Sequence, residues 1–388
     1  MKKTALFLLL AATLPTACIQ DEAPNAEADI LAITLPEGVV VESAPDYYRS
    51  YDNLLGAYPL SIEVAFGTDL SAISPTFELT PGATLKVIEN GDTIDVETVN
   101  SKAQNFDTPV RYIVTSESRM WQRVYLVDIH YPEDRDIPTK YHFESVVTQG
   151  NYFLFNETAE GCAPLTWASG NPGFDIAAQL QGITSPHSYP TTIEEEGYSG
   201  KCLKLQTLLT GEWGERVGKP IAAGNLFMGT FYLPTAITNS LNSTRFGVPF
   251  KHKPTALTGY YRYTAGKEFY DNGNYTDEKD RFSIYAMFFE KGDDVPYLDG
   301  NIPSQGFNHP RMVATALMDE SEKIESIEWR RFEIPFDYSR YGKSIDSEKL
   351  AAGKYHIAIV FASSSGGDEF KGAPGSTLYV DEVELLYE

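Results

Sequence analysis

The C-terminal stretch 375-GSTLYVDEVELLYE-388 determines how the fold is read from the sequence. It has the alternating apolar and polar residues of a β-strand, but strands disfavour Asp, so the position of Asp381 needs a physical reason. By alternation, Asp381 shares a face with Val383 and Leu385, whereas Glu382 and Glu384 point the other way. An ionised acid on a core-facing side of a strand requires a compensating partner. We therefore expect a closing β-strand that carries a site built around Asp381.

Composition sets the class of protein. The chain has 388 residues, of which 42% are hydrophobic and 22% are charged, which is enough for two globular domains. A net charge of -23 argues against nucleic acid as a partner, because the field repels phosphate backbones. Aromatic residues make up 13% of the chain, and 3 cysteines are too few for a disulfide framework, so we expect a β-rich protein.

Residues 1–18 have the pattern of a signal peptide. A basic start and an apolar run precede Cys18, which predicts a bacterial lipoprotein signal in which Cys18 is lipidated; ordinary secretion is the alternative. Residues 19–28 are acidic and predict a flexible tether. They resemble the signals that send Bacteroidota lipoproteins to the cell surface, so we expect an outer-membrane protein that faces outward, with a periplasmic orientation as the alternative. In that compartment Cys162 and Cys202 are either paired or free.

Residues 29–132 predict an immunoglobulin-like β-sandwich. Short alternating runs are broken by Pro-Gly and Asn-Gly turns, and no helix of useful length is evident. The alternation places Ile62, Val64 and Phe66 on one face of a strand. The stretch resembles bacterial Ig-like modules that precede binding or catalytic domains. Trp121 lies between two strands, and we expect its ring to pack over one of them; an exposed contact residue is the alternative.

Residues 133–140, rich in proline and charge, predict a linker. From 141 to 388 the chain contains many runs of five to eight residues enriched in β-branched and aromatic side chains. An antiparallel jelly roll is the usual way to close that many strands. The fold class expected from the sequence is therefore all-β, with an Ig-like sandwich followed by a jelly-roll sandwich.

Three segments of the second domain resemble galactose-binding-like jelly rolls: 142-HFES-145, 197-GYSGKCLKLQ-206 and the closing strand. In such folds the first and last strands are neighbours and share a structural Ca²⁺. The resemblance implies Glu144 and Asp381 as calcium ligands, and hard carboxylate oxygens suit that ion. The alternative is that Asp381 is hydrated or paired with a basic side chain.

Further sequence segments make the resemblance specific to one family. The segments 167-WASGNPGF-174, 223-AGNLFMGTF-231 and 245-RFGVPFKHKPTALTGYYRYTAG-266 occur in the order typical of one family, together with the closing strand. They are similar to the putative carbohydrate metabolism domain (PCMD) of Bacteroidota. The resemblance implies an Ig-like module, a jelly roll and a role with glycans.

Candidate glycan-binding residues are aromatic and amide side chains in segments rich in Gly, Asn or Pro. Sugar rings stack their C–H faces on aromatic rings, and their hydroxyls bond to polar side chains at the rim. Loops of a sandwich are where binding usually occurs. The residues with this composition are Trp167, Asn171, Trp213, Tyr270, Asn274 and Tyr275.

Three functions remain open at this stage: a non-catalytic glycan-binding lipoprotein, a glycoside hydrolase, and a structural or adhesin-like surface protein. A hydrolase needs two carboxyl groups about 5 to 9 Å apart. Two neighbouring pairs of acids, Glu212 with Glu215 and Asp368 with Glu369, are candidates, although single acids in so acidic a chain are usually solvated. The sequence has neither a zinc-binding His-Glu-x-x-His motif nor a Gly-x-Ser-x-Gly motif. We expect glycan binding without catalysis.

Overall fold

The computed structural model describes residues 23–89, 91–99, 101–132, 135–292 and 295–388. The predicted signal peptide, Cys18 and residues 19–22 of the predicted tether lie outside the described residues. Within these ranges, no helix has the length and apolar character needed to cross a membrane.

The N-terminal domain is an eight-stranded β-sandwich. A six-stranded sheet has the order β2-β3-β8-β7-β5-β6, in which β3 and β8 are parallel and the other pairs antiparallel, and β1 pairs with β4 beside it. The strands are β1 (Ile30–Thr34), β2 (Val41–Ser43), β3 (Tyr58–Val64), β4 (Thr76–Leu79), β5 (Thr84–Glu89), β6 (Asp92–Val96), β7 (Val110–Thr115) and β8 (Gln122–His130), with a short 3-10 helix at Leu70–Ala72.

The core of this domain follows the alternation in the sequence. Ile62 and Val64 of β3 are buried, as are Tyr125, Val127 and Ile129 of β8. They pack with Phe77 and Tyr112 in one cluster. The predicted sandwich is confirmed, and so are its inward-facing residues except Phe66, which follows β3 and packs in the core of the C-terminal domain.

The C-terminal domain is a two-sheet sandwich with additional hairpins and short helices. The sheet that we call the β29 sheet has the order β13-β14-β29-β21-β27, with β9 paired to β29. The β28 sheet has the order β17-β28-β24-β26, with β20 paired to β28. All pairings within both sheets are antiparallel. The first strand, β9, is a neighbour of the last, β29, as the resemblance implied.

Short strands and short helices, of which α1 has 10 residues, lie along much of this domain. The strands are β9 (Lys140–Tyr141), β10 (Val146–Gln149), β11 (Tyr152–Glu157), β12 (Leu165–Trp167), β13 (Thr191–Glu194), β14 (Cys202–Gln206), β15 (Leu208–Leu209), β16 (Ile221–Ala222), β17 (Asn225–Phe227), β18 (Gly229–Phe231), β19 (Thr244–Phe246), β20 (Val248–Pro249), β21 (Pro254–Thr264), β22 (Phe269–Asp271), β23 (Asn274–Thr276), β24 (Ser283–Glu290), β25 (Leu298–Asp299), β26 (Met312–Leu317), β27 (Ser326–Pro335), β28 (Tyr355–Ala362) and β29 (Thr377–Tyr387). The helices are α1 (Asn171–Leu180), α2 (Gly211–Arg216), α3 (Asn301–Ser304) and α4 (Ser347–Ala351), with 3-10 turns at Pro186–Ser188, Leu233–Thr235, Ser240–Ser243 and Gly367–Glu369.

The main core lies between the two sheets. Alternate residues of β24, such as Ile284 and Phe288, meet Val380 and Leu385 of β29 there. The opposite face of the β28 sheet is also apolar, and it is covered by a second cluster that includes Phe227. A strand that is apolar on both faces is covered on both faces. The covering layer on the outer side of the β28 sheet therefore forms a second packed region in this domain.

The two domains share backbone hydrogen bonds. The Phe66 amide donates to the Pro164 carbonyl at 3.0 Å, and the Thr166 amide donates to the Phe66 carbonyl at 2.7 Å. Gly67 permits this approach, because it has a φ of +87° and a Cβ there would lie 1.9 Å from the Thr166 oxygen. The Phe66 ring belongs to the core of the C-terminal domain.

The segment predicted to be an open linker is partly packed against this interface. Ile137 is buried in the core of the C-terminal domain, and Arg135 forms ion pairs with Glu42 and Glu63. The expectation of an exposed, core-poor linker was wrong at these residues, because a single isoleucine among proline and charged residues does not indicate insertion into the adjoining core.

Two smaller expectations were settled as well. Trp121 is 61% exposed, so its ring does not pack over a strand. Cys162 and Cys202 are both free thiols, and Cys202 is buried. Burial raises the pKa of the Cys202 thiol to about 12, so it remains protonated.

Candidate functional site

A cleft of ≈ 440 Å³ lies on the outer face of the β28 sheet. Outward-facing side chains of the sheet form its floor, including Phe227, Tyr285 and Val360. These residues alternate along their strands with the core residues of the sandwich. Helices α1 and α2, the segments 231–244 and 300–307, and the loop 364–370 form its walls. The cleft volume is within the range of small-molecule and sugar sites.

Partly exposed aromatic rings line the cleft. They come from five separate parts of the chain, which explains why no single sequence motif displayed them. An apolar pocket with rings accessible to solvent can stack on flat C–H faces of a ligand. The rings are those of Trp213, Phe231, Tyr285, Phe307 and Phe370.

Two of these rings are placed by an uncommon backbone conformation. Phe307 has a φ of 59° and Phe370 a φ of 58°, in the left-handed region that bulky residues rarely adopt. A hydrogen bond of 3.0 Å from the Tyr341 hydroxyl to the Phe307 carbonyl helps to hold the first. The Lys219 ammonium lies 4.0 Å from the centre of the Phe370 ring. Strained residues that persist tend to occur at functional sites.

One partly buried carboxyl group faces the cleft. Asp368 lies in the loop 364–370, and burial, followed by the charge of Glu369, raises its pKa. Burial also raises the pKa of Tyr285, with a further contribution from the Asp368 charge. A phenol and a carboxyl group therefore act on each other electrostatically at the floor of the cleft. Both can form hydrogen bonds to a ligand's hydroxyl groups.

A second carboxylate, Glu320, lies at the rim. It accepts a hydrogen bond of 2.9 Å from the Arg281 guanidinium and pairs with Lys323. Burial alone would raise the pKa of Glu320, but the hydrogen bonds and charges of Lys323 and Arg281 outweigh that effect and lower it. Glu320 is therefore held ionised, whereas the nearby cleft residue Asp368 is shifted towards the protonated form.

Asp280 anchors the loop that carries Asp368 and Phe370. Its buried carboxylate accepts hydrogen bonds from the Ser364 and Ser376 hydroxyls, both at 2.6 Å, and from the Ala373 amide at 2.7 Å. Burial raises the pKa of Asp280, although these donors lower it in part. A satisfied buried carboxylate of this kind fixes the loop on the cleft side of the sheet.

Of the six glycan-binding residues predicted from the sequence, Trp213 alone lines the cleft. Trp167 was a wrong prediction, because its ring is 1% exposed and lies in the main core, in edge contact with Tyr141 at 5.1 Å. Asn171 was also wrong. Its buried amide donates to the Thr191 carbonyl at 2.8 Å and accepts from the Thr191 amide at 3.1 Å, so it is a structural bridge at the start of α1.

The other three predicted residues lie on a hairpin outside the cleft. Tyr270 and Tyr275 face each other across β22 and β23, with ring centroids 5.5 Å apart, and Asn274 is exposed. The Tyr270 amide donates to the Gly372 carbonyl at 2.9 Å, which ties the hairpin to the segment that follows the loop carrying Asp368.

Neither predicted acid pair places both of its carboxyl groups in the cleft. Glu212 has a side chain that is 89% exposed and pairs with Arg216, and Glu215 is also exposed. Glu369 lies outside the cleft lining and pairs with Lys371 at 2.9 Å. Asp368 is the member of these pairs that the cleft contains.

The residues expected to bind calcium lie against one loop, 197–201. Asp381 is fully buried, and its carboxylate accepts the Ser199 amide at 2.9 Å. The Glu144 carboxylate accepts the Lys201 amide at 3.0 Å. Glu382 has a φ of 47° at an irregularity in the pairing of β29 with β21, which explains how Asp381 leaves the regular alternation.

A third acid, which sequence reasoning missed, lies close by. The Glu157 carboxylate accepts the Phe143 amide at 2.8 Å; burial raises the pKa of Glu157 to about 7, and the Glu144 charge contributes. Burial likewise raises the pKa of Asp381 to about 6. Among the described residues, no group of three His, Cys, Asp or Glu side chains has the spacing of a complete metal site. Two carboxylates with backbone carbonyls still fit the oxygen donors that Ca²⁺ takes, so Glu144 and Asp381 could hold the ion.

Comparison with known proteins identifies the family. Residues 142–386, more than half of the chain, match the family described as putative carbohydrate metabolism domain, PCMD. The chain belongs to the PCMD family. Residues 58–129 of this PCMD protein match a second family, described as SGBP, N-terminal, where SGBP denotes a surface glycan-binding protein. The expected family and fold class are thus confirmed.

Two solved structures from Bacteroides are similar to the PCMD chain. One, described as a putative glycoside hydrolase from Bacteroides thetaiotaomicron, is 40% identical over 95% of this chain and 99% of its own, with a TM-score of 0.63. The other, described as a putative glycoside hydrolase from Bacteroides vulgatus, is 46% identical over 66% of this chain and 100% of its own, with a TM-score of 0.62. A search of curated proteins gives no match.

Proposed function

We propose that the protein is a surface lipoprotein that binds a polysaccharide in the cleft of its C-terminal domain, without cleaving it. The observation that carries this proposal is the set of five partly exposed aromatic rings lining one cleft of ≈ 440 Å³. Membership of the PCMD family and the match of the N-terminal domain to SGBP support a role with carbohydrate at the cell surface.

The cleft has the two kinds of group that recognise a sugar. Its rings offer stacking surfaces, and its polar residues offer fixed donors and acceptors for hydroxyl groups. Asn225 and Asp368 lie within the lining, and Lys219 and Glu320 lie at its edges. The affinity should be modest, because each good stack contributes only about 1 kcal/mol beyond burial.

Titration of a polysaccharide panel into the purified chain tests the proposal. We expect Trp213→Ala to weaken binding about five-fold, which is the equivalent of about 1 kcal/mol. Trp121→Ala is the matched control, because Trp121 is an exposed tryptophan of the N-terminal domain, and it should leave binding unchanged. If the wild type bound no polysaccharide, or if both variants lost affinity equally, the cleft would not be the site.

Glycoside hydrolysis is the second candidate function, and one arrangement favours it. Asp368, with its raised pKa, could act as a general acid, while the ionised Glu320 at the rim of the same cleft could act as a base or nucleophile. The two Bacteroides relatives are described as putative glycoside hydrolases.

Release of reducing sugar from the same panel separates the two candidates. A hydrolase of this design should lose at least about 100-fold in rate in Asp368→Asn, because general acid catalysis contributes on the order of 10² or more. Glu212→Gln, a change at an exposed acid of α2 that pairs with Arg216, should retain the rate. Binding with no sugar released supports the non-catalytic function.

A further inference from the structure

A second aromatic surface lies on the outer face of the β29 sheet. Tyr198 is 49% exposed and stacks on Tyr260, with ring centroids 3.8 Å apart and 12° between the planes. Trp329 meets Tyr198 edge-on at 6.1 Å. The main core separates this sheet from the β28 sheet that underlies the cleft. The rings and the cleft therefore lie on opposite faces of the domain.

A guanidinium group is held among these rings. The Arg262 guanidinium carbon lies 4.1 Å from the centre of the Tyr379 ring and 5.1 Å from that of Trp329. Stacking of this kind fixes the plane of the guanidinium and leaves its edge to bind other groups. We call Tyr198, Tyr260, Arg262, Trp329 and Tyr379 the β29 aromatic surface.

Among the described residues, no carboxylate forms an ion pair with Arg262 within 4 Å. In the part of the chain that the structure describes, its Nε is buried with no hydrogen-bond partner, and one terminal nitrogen donates to the Glu196 carbonyl at 3.4 Å. Lys204, on the same face, is paired with Glu194 at 3.4 Å. A guanidinium edge without a carboxylate partner can bind an external anion. The net charge of -23 repels a polyanion at long range, so this binding should be modest and local to Arg262.

The position of Tyr198 is set by the loop 197–201. The amides of Ser199 and Lys201, which follow the tyrosine, donate to Asp381 and Glu144. A Cβ at Gly200 would lie 2.0 Å from a Glu144 carboxylate oxygen, so the loop is closely fitted to these acids. A ring that is already placed loses little conformational entropy when a ligand stacks on it.

We infer that the β29 aromatic surface is a second glycan-binding site and that it recognises a uronic acid residue of an acidic polysaccharide. The C–H face of the sugar stacks on Tyr198 or Trp329, and its carboxylate pairs with Arg262. A neutral sugar would leave the guanidinium without a counter-charge. This inference does not depend on the cleft, because no residue of the surface lines it.

The test uses polygalacturonate and the same polymer after its carboxyl groups have been reduced to alcohols. Affinity electrophoresis of the full chain should show retardation by polygalacturonate that weakens as sodium chloride is added, and retardation by the reduced polymer that is weaker by about ten-fold or more. Arg262→Gln should weaken binding about ten-fold, since a hydrogen bond to a charged group is lost. Arg216→Gln, at an exposed arginine of α2 that pairs with Glu212 on the other face of the domain, should have no effect.

Three further variants make the assignment specific. Tyr198→Ala should weaken retardation, Tyr198→Phe should preserve the stack, and Trp213→Ala in the cleft should leave it unchanged. Thermal melts of each variant distinguish lost binding from lost folding. Three results would each overturn the inference. They are retardation by the reduced polymer as strong as that by the acidic polymer, loss of binding in Trp213→Ala, and self-association of the chain that Arg262→Gln removes. The inference would also be overturned if neither polygalacturonate nor alginate, tested as a second polymer of uronic acids, retarded the chain.

Discussion

The Asp280 carboxylate accepts a hydrogen bond of 2.6 Å from the Ser364 hydroxyl, across 84 positions of the sequence. Both residues are buried, and the same carboxylate oxygen also receives the Ser376 hydroxyl and the Ala373 amide. Residues on both sides of the loop that brings Asp368 and Phe370 to the cleft are thus hydrogen-bonded to one acid, Asp280. The geometry of the cleft is coupled to this interaction.

We predict that Asp280→Asn destabilises the protein by about 1–3 kcal/mol. The variant replaces one acceptor oxygen with an NH₂ donor, which leaves at least one buried donor unpaired. Urea unfolding would measure the loss. Asp277→Asn, at an exposed acid nearby, should change the free energy of unfolding by less than about 0.5 kcal/mol. Equal stability of both variants would show that the Asp280 network does not hold the loop.

Phe370 offers a way to separate stability from binding. Because its φ is 58°, we predict that Phe370→Gly is more stable than Phe370→Ala by about 1 kcal/mol, since glycine adopts the left-handed region without strain. Both variants remove the ring and should weaken glycan binding equally. Thermal melts test the predicted difference in stability, and polysaccharide titration tests the predicted loss of binding. Full affinity in either variant would show that Phe370 is not part of the site.

Calcium should stabilise the folded chain. We predict that excess Ca²⁺ raises Tm at about pH 7.5 relative to chelator, because the ion binds the native Glu144 and Asp381 and not the unfolded chain. The shift should disappear in Asp381→Asn and in Glu144→Gln. Glu196→Gln, at an exposed acid beside the same loop, serves as the control. Identical melts of the wild type with calcium and with chelator would contradict the site.

The same acids predict a pH dependence. Burial raises the pKa of Asp381 from 3.8 to about 6 and that of Glu157 from 4.5 to about 7. In chelator, their contribution to stability is greatest below about pH 4 and is lost as the pH rises through about 6 and 7, because the native state then has to hold buried charges. The calcium-induced rise in Tm should therefore grow across this window.

Deprotonation of His142 also lowers the stability of the folded chain as the pH rises. A hydrogen bond to Glu382 raises its pKa, so its contribution is also lost as the pH rises. Asp381→Asn and Glu157→Gln isolate the carboxylate part, since His142 remains in both. Unfolding free energies measured in chelator from about pH 4 to 8 should flatten in these variants. A wild-type profile that rises with pH in this range would show that burial does not control the two acids.

The domain interface predicts an unequal effect of two matched glycine substitutions. Gly67 and Gly91 have φ values of +87° and +89°, so alanine incurs the same backbone strain at both. A Cβ at Gly67 would also clash with the Thr166 carbonyl, whereas nothing lies within 4 Å at Gly91. We expect Gly67→Ala to be the more destabilising by at least about 2 kcal/mol. Calorimetry that found equal melts would mean that the interface adjusts freely.

Lipidation is tested by Cys18→Ala. The signal-like pattern of residues 1–18 predicts that the wild type fractionates with membranes and that the variant is soluble. A comparison of membrane and soluble fractions of expressing cells measures the change. Cys162→Ala is the control, because this thiol lies within the folded C-terminal domain. Membrane retention of the Cys18 variant would exclude the anchor.

Local patterns in the sequence predicted the regular strands and their inward faces. They were wrong for Asp381, which does not share the core face of Val383 because the strand is irregular at Glu382, and for Phe66, which packs in the C-terminal core. The alternation around Ile62 and Val127 predicted the N-terminal core, and that around Asp381 predicted the closing strand, because side-chain period is a local property. The cleft could not be predicted this way. Phe231, Tyr285 and Phe307 come from separate elements, and only the tertiary fold brings them together.

The errors have a common physical origin. Trp167 lies in a segment rich in Gly and Pro that reads as a loop, yet it ends β12 and fills the main core. Asn171 belongs to α1, in a segment that we expected to be a loop because it is rich in Gly and Pro, although Pro is well accommodated in the first turn of a helix. Burial of an aromatic or amide side chain depends on which other segments pack against it in the tertiary structure. A single amino-acid sequence does not reveal those contacts.

The backbone hydrogen bonds between Phe66 and the segment 164–166 have a mechanical consequence. These hydrogen bonds resist rotation of one domain against the other at Phe66. Under the proposed function, tension on a bound polysaccharide would pass through both sandwiches. The segment that precedes Ala28, which is itself buried in the N-terminal core, would then be the place where the cleft reorients towards its ligand.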